Sequence, residues 1–281
     1  DLTDKIRLFG EVKYNHIRTF FTAQPTYDYG LFIPQDNPFI PAAAYADALT
    51  PGGNFTAAGI NALGLPGPGV LVARDNFDLG EGTHDIKRDT WRLVFGAKGD
   101  LTDYLRYEVS YVYGQTQTED NYETRINERF FAATDVVMGP NGPVCRSNLD
   151  PSALPAGDLF AQAAYLAPGD TTFRTFTPGP NSGCVPVNIF GEGAFNQQAL
   201  DWILTDDQTV SKITQNVATA FISGTSTPWF ELPAGPISYV LGAEYRRETS
   251  LSTPGPYEQE GAIDQINIVY AGQGVISGGS F

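Results

Sequence analysis

LRYEVSYVYG, residues 105–114, sets a large apolar side chain at every second position. Leu105, Tyr107, Val109, Tyr111 and Tyr113 alternate with Arg106, Glu108, Ser110 and Gly114. Successive side chains of an extended chain point to opposite faces, so this spacing gives a strand with one apolar and one polar face. Just upstream, RDTWRLVFGAK (88–98) alternates in the same way, with Trp91, Leu93, Phe95 and Ala97 set against Arg92, Val94, Gly96 and Lys98. GDLTD turns the chain between the two, and together they read as a hairpin.

The pattern recurs outward. Residues 5–22 place Ile6, Leu8, Val12 and Tyr14 on one face and Arg7, Glu11, Lys13 and Asn15 on the other. Residues 209–224 and 236–249 form a further pair joined by TSTPWFELPAG. In the second of these, Ile237, Tyr239, Leu241, Ala243 and Tyr245 oppose Ser238, Gly242, Glu244 and Arg246. The string DLTD stands at 1–4 and again at 100–103, each time just before a strand, where Asp and Thr supply local turn hydrogen bonds.

Between the strands lie long stretches dense in Pro and Gly: 23–83, 119–208 and 250–281. Short helices are predicted inside them at 42–49, 130–137 and 194–204. The strands, about 11–16 residues long, exceed the ~9–11 residues that cross a bilayer at a tilt. Charges on one face, aromatics on the other and loops beyond 60 residues divide lipid from lumen as an outer-membrane β-barrel does. A soluble β-sandwich also alternates, but has no need of an outward Tyr, Leu and Val belt. The expected fold is therefore all-β: a single unit, 1–281, of antiparallel barrel strands with long extracellular loops.

Composition bounds the function. Of 281 residues, 42% are hydrophobic, and the net charge is −15, which speaks against nucleic acid as a partner. The sequence has no apolar run long enough for a transmembrane helix. Two cysteines, Cys145 in GPVCRSN and Cys184 in NSGCVPVN, flank one Pro- and Gly-rich loop. They could close it or remain two reduced thiols; the expectation is a disulfide, since the GP and SG neighbours allow close approach in an oxidising compartment.

Several strings carry a resemblance: NPFIPAAAYADAL, RDNFDLGEGTHDIKRDTWRLVFGAKGDL, YEVSYVYGQTQT, GCVPVNIFGEGA and ELPAGPISYVLGAEYRRE. Together they resemble the barrel of TonB-dependent outer-membrane receptors, in particular a Gram-negative subgroup with cysteine-clipped extracellular loops. CVPVNIFG and LPAGPISYVLGAEYRRE are the most specific. The resemblance implies residence in the cell outer membrane and a 22-stranded barrel occluded by a plug. It also implies uptake of a scarce small-molecule nutrient, such as a siderophore or an oligosaccharide, with energy passed from the TonB complex through the plug. Plug, TonB-contacting box and final strand are not found in this stretch, which therefore reads as an internal slice of roughly five strands. Its partners would be outer-membrane lipid and, at the sheet edges, the remaining barrel strands or further copies. The competing reading is a structural or adhesive surface β-protein without transport.

Candidate site residues follow from chemistry. Tyr27, Tyr29, Phe32, Phe39 and Trp202 are loop aromatics able to stack on a ligand. Arg106, Glu108, Glu244 and Arg246 would face the lumen and line a path or brace the wall. Asp75, Asp78 and Glu81 in DNFDLGEGTHD offer oxygen ligands for Ca²⁺, although they lack EF-hand spacing. His16 and His84 are the only histidines, with His16 expected to be packed. No G-x-S-x-G, H-E-x-x-H or P-loop string occurs, so no enzyme and no resident cofactor is expected.

Overall fold

The computed structural model describes residues 5–65, 67–80, 82–155, 157–158, 175–193, 195–259 and 276–277. The first DLTD copy, Glu81 and Phe281 lie outside the described residues.

In chain order the elements are β1 (Arg7–Thr22), β2 (Tyr27–Pro34), α1 (Ala42–Ala48), α2 (Ala57–Leu63), β3 (Gly69–Asp75), β4 (Thr83–Thr102) and β5 (Leu105–Arg125). Then come α3 (Asn127–Thr134), β6 (Val136–Gly139), β7 (Gly142–Cys145), α4 (Arg146–Leu149), α5 (Gln197–Ile203), β8 (Leu204–Thr225), β9 (Ser238–Thr253), α6 (Pro256–Gln259) and β10 (Ile276–Ser277). The chain is mostly β, and every strand pair is antiparallel. The main sheet runs β1-β4-β5-β8-β9-β10 and is open, since β1 is not paired to the far edge among the described residues.

Register makes each face continuous. Leu8 pairs with Ala97 and Val12 with Leu93; Ala97 pairs with Val109 and Leu93 with Tyr113. Val109 continues to Ala220 and Tyr107 to Ile222, then Ala220 to Ala243 and Ile222 to Leu241. One face is thus apolar across five strands, and among the described residues nothing covers its middle: Val12 is 69% and Leu241 73% exposed. The opposite face carries charge and small residues. On it, the Phe9 ring lies where a Cβ at Gly96 would stand, and the Phe221 ring does the same over Gly242. Glycine at these two sites lets an aromatic on the adjacent strand cover the bare backbone.

The apolar band slants across the sheet. Its unbroken run of apolar residues ends at the loop side with Tyr14 and Trp91, which are partners; Phe20 and Leu251 stand apart, farther out on the same face. On β5 the limit is Tyr113, two residues lower in register, and on β8 and β9 it is Ala218 and Tyr245, two lower again. The next outward residues are His16, Asp89, Gln115, Asn216 and Arg247, all polar. A slide of four residues over four strand steps is about 13 Å against about 19 Å, an angle of about 35° between strand and band normal.

The strands outrun their sequence-predicted ends. β5 continues to Arg125, β8 begins at Leu204 and β9 reaches Thr253, so the second excursion is 126–203, not 119–208, and β9 takes the first residues of 250–281. The reason is that polar cross-strand pairs replace apolar ones here, as in Thr90 with Thr116, Arg88 with Thr118 and Gln208 with Asn121. The loops also hold more structure than their breakers suggest. β2 and β3 pair within 23–83, and Phe32 packs over Gly69 there. Helix α1 lies where predicted, with Pro41 at the N-cap, while α3 starts three residues early and yields to β6 at Val136.

The hydrophobic core lies in these excursions, not between sheet layers. Leu31 and Ile33 of β2 meet Phe130, Phe131 and Ala133 of α3, Val187, Ile189, and Ala199 and Ile203 of α5. Both excursions therefore sit together at one end of the sheet, and the turns after β4 and β8 at the other. At the centre is the disulfide between Cys145 and Cys184, 2.03 Å long, with both residues buried.

Closing a 39-residue separation removes about 4 kcal/mol of unfolded-chain entropy in the loop-closure estimate. Replacing both cysteines with serine should speed amide exchange at Ile126 and Phe130, whose N–H groups bond inside this core, and leave amides of β4 and β5 unchanged. Equal acceleration in the sheet would show that the core and the sheet unfold together.

Candidate functional site

The polar face of the sheet is a set of local charge ladders. Arg92 donates to Glu11 at 2.8 Å, and Lys13 stands 3.1 Å from the same carboxylate. Arg106 donates to Asp100 at 3.0 Å. Arg246 donates to Glu244 at 3.1 Å, and Gln215 donates to Glu248 at 2.6 Å. Glu108 lies between Lys98 and Phe221 in register. So Arg106, Glu108, Glu244 and Arg246 do share one face, as expected, but do not converge. β8 separates the two pairs, which puts β5 and β9 about 10 Å apart.

The loop aromatics divide. Tyr27 and Tyr29 are exposed and stacked, with centroids 4.9 Å apart, and the Tyr29 hydroxyl donates to Asp75 at 3.0 Å. That carboxylate raises the Tyr29 pKa, because a hydrogen bond to it holds the phenol proton. Phe32 is buried and Trp202 packs edge-on to Phe176 against the loop core, so these two serve packing. Phe39 is half-buried, its N–H donating to Asn37. The five do not form one surface.

Two members of the acidic string have partners within the protein, and the third, Glu81, lies outside the described residues. Asp78 accepts from Arg74 at 2.8 and 2.9 Å, and Asp75 is engaged by Tyr29. Among the described residues no group of three or more His, Cys, Asp or Glu side chains is placed to hold a metal. His84 stacks between Phe21 and Tyr122 and meets Asp120 at 3.0 Å. His16 is not packed; it is exposed beside Asp89 at 2.9 Å, because its position falls on the apolar face just beyond the band.

Two features escaped the sequence. One is a cleft of about 510 Å³ at the loop ends of β4, β5 and β8, lined by Asp85, Asn121, Glu123, Asp206 and Gln208 among others. None of the residues expected to bind ligand lines it. The other is a buried clamp: Arg125 donates to Asp28 at 2.6 and 3.2 Å, both side chains being 2% exposed. Asn76 donates to Asp28 at 2.7 Å, Arg125 donates to Asn127 at 3.0 Å, and the guanidinium lies 4.1 Å from the Phe130 ring centroid. It fastens β2 to the end of β5 across 97 residues of sequence. A second, partly buried bridge repeats the idea, with Arg146 donating to Asp36 at 2.9 Å and to the buried Asp135 at 3.0 Å. Such a site can present carboxylates, hydroxyls and ring faces on a loop assembly whose shape is set from below.

Comparison of the chain with protein-family models, with curated proteins and with solved structures finds no match.

Removing one member of a buried pair strands the other charge, so Asp28→Ala should destabilise the loop assembly by about 3–5 kcal/mol, read by urea unfolding. Asp28→Ala with Arg125→Met should recover much of that loss; no recovery would mean the ionic contact is incidental.

The Arg146 guanidinium holds Asp36 below the usual carboxylate range, while burial pushes Asp135 up. A lowered folded pKa stabilises above the unfolded value of about 3.9 and is lost as pH falls through the folded one. Asp135 contributes with opposite sign, gaining stability as it takes its proton. Carboxyl NMR titration should find Asp135 protonating before Asp36 as pH falls. The reverse order would contradict burial as the dominant influence on Asp135, since Arg146 lowers both carboxyls.

Proposed function

We propose that the chain forms lipid-facing wall and extracellular loops of a TonB-dependent outer-membrane receptor that binds and imports a scarce nutrient. The observation that carries this is the slanted band. The tilt of about 35° it implies falls in the ~35–45° range of membrane-crossing barrel strands. Nine residues, 105–113, span ~30 Å along the strand and ~24 Å along the band normal, against an apolar belt of ~25 Å in such barrels. Two aromatic rows flank it: Tyr14 with Trp91, ring centroids 4.4 Å apart, and Trp229 with Tyr239 at the turn end. Nothing in a soluble single-layer sheet calls for a band slanted in this way.

Transport, as against a surface role, rests on the resemblance and on the loop assembly. A disulfide, a buried ion pair and a shared core hold that assembly in one shape above the sheet. Cells carrying the protein should accumulate labelled ferric chelates or oligosaccharides, and an uncoupler of the inner-membrane proton gradient should stop it. Surface binding without accumulation would instead make the protein a structural or adhesive one.

Adjacent residues on β9 test the lipid assignment. Val240 and Leu241 are equally exposed, 72% and 73%, on opposite faces. In bilayers Leu241→Arg should cost ~2–4 kcal/mol near the midplane, and Val240→Arg far less. Equal costs would remove the distinction between the faces.

A further inference from the structure

We infer that the turn 226–237, STPWFELPAGPI, is an interfacial lipid anchor that seats the sheet's turn end in the headgroup layer of the bilayer; this rests on the membrane reading above. Connections at a protein surface are ordinarily polar. This one exposes Trp229 (71%), Phe230, Leu232 and Ile237 and carries a single charge, Glu231. The neighbouring turn of the same end also exposes Leu101 and Tyr104 but sets them beside two charges, Asp100 and Asp103.

Direction decides the partner. Tyr239 pairs with Gly224, and Gly224 with Leu105, so its side chain belongs to the apolar face. The Trp229 ring lies 6.2 Å from the Tyr239 ring, with 22° between their planes. The turn therefore folds toward the apolar face and continues it, rather than reaching under the polar face where a lumenal or water-borne partner would meet it. Tryptophan and tyrosine together, apolar body with a polar edge, suit the headgroup boundary.

Much of the turn's backbone is paired within the turn. Buried Ser226 organises the turn: its carbonyl accepts from the N–H groups of Trp229 and Phe230, and its hydroxyl donates to the Phe230 carbonyl and accepts from the Ile237 N–H. Leu232 and Gly235 exchange both backbone bonds, and Pro228, Pro233 and Pro236 have no N–H to satisfy. Groups paired internally lose little on leaving water.

The test is tryptophan quenching of the full chain in phosphatidylcholine vesicles brominated at shallow or deep acyl positions. The chain has three tryptophans, with Trp91 on the apolar face and Trp202 in the loop core. A variant keeping only Trp229 should lose most of its emission to shallow bromines and less to deep ones. Trp202→Phe disturbs a packed site, so the comparison is repeated as the difference between the unaltered chain and Trp229→Ser. Emission from Trp229 untouched by any brominated lipid, with Trp91 quenched, would overturn the anchor and leave the membrane reading standing. If neither is quenched, the membrane reading itself falls.

Discussion

A single-layer sheet with one apolar face exposes what water penalises most. From Leu8 on β1 to Leu241 on β9, large apolar side chains of that face, Val12, Phe95, Val109 and Tyr245 among them, stand exposed among the described residues. At about 25 cal/mol per Å² of apolar surface, a band five strands wide is too costly to leave wet. Layered folds bury such a face against a second layer. On the reading proposed above the second layer is lipid, and that reading accounts for the arrangement of the rest of the structure. The strands tilt so that the band is level, aromatics mark its limits, and polar residues begin on every strand immediately beyond it.

Because the sheet stores no core of its own, the compact part of the protein is the loop assembly. It is built from segments far apart in sequence: β2 from the first excursion, α3 and β7 from the start of the second, and Cys184, Val187 and α5 from its end. The ion pair of Asp28 with Arg125 joins that assembly to the strand below it. A long loop held this way can keep a binding surface in place without help from a ligand, so affinity need not be spent on ordering it.

How much of this was legible depends on where polarity contrast exists. Residues 105–114 declare their strand because Tyr and Val alternate with Glu and Ser. The continuation TQTEDNYETR does not, since both faces are polar once the strand leaves the band; only the backbone pairing of β5 with β8 reveals it. In the loops, TYDYGLFIP reads as a fragment among breakers, and its strand character comes from Leu31 and Ile33 filling a core whose other half is a hundred residues away. The same distance hides Asp28 and Arg125, which carry no local mark of being partners. The cysteine pair could be proposed from its flanking turns. The aromatics could not be sorted, because exposure of Tyr29 and burial of Trp202 are decided by tertiary packing.

The central claim is that one sheet face meets lipid and the other does not. Spin labels placed singly at 105–114 in the vesicle-reconstituted protein measure this directly, through collision with oxygen, which concentrates in lipid, and with a water-soluble nickel chelate. The account predicts a period of two: odd positions favouring oxygen, with the maximum near Val109, and even positions favouring nickel. Odd positions closed to both reagents would mean that protein, not lipid, covers the apolar face, and would contradict the account.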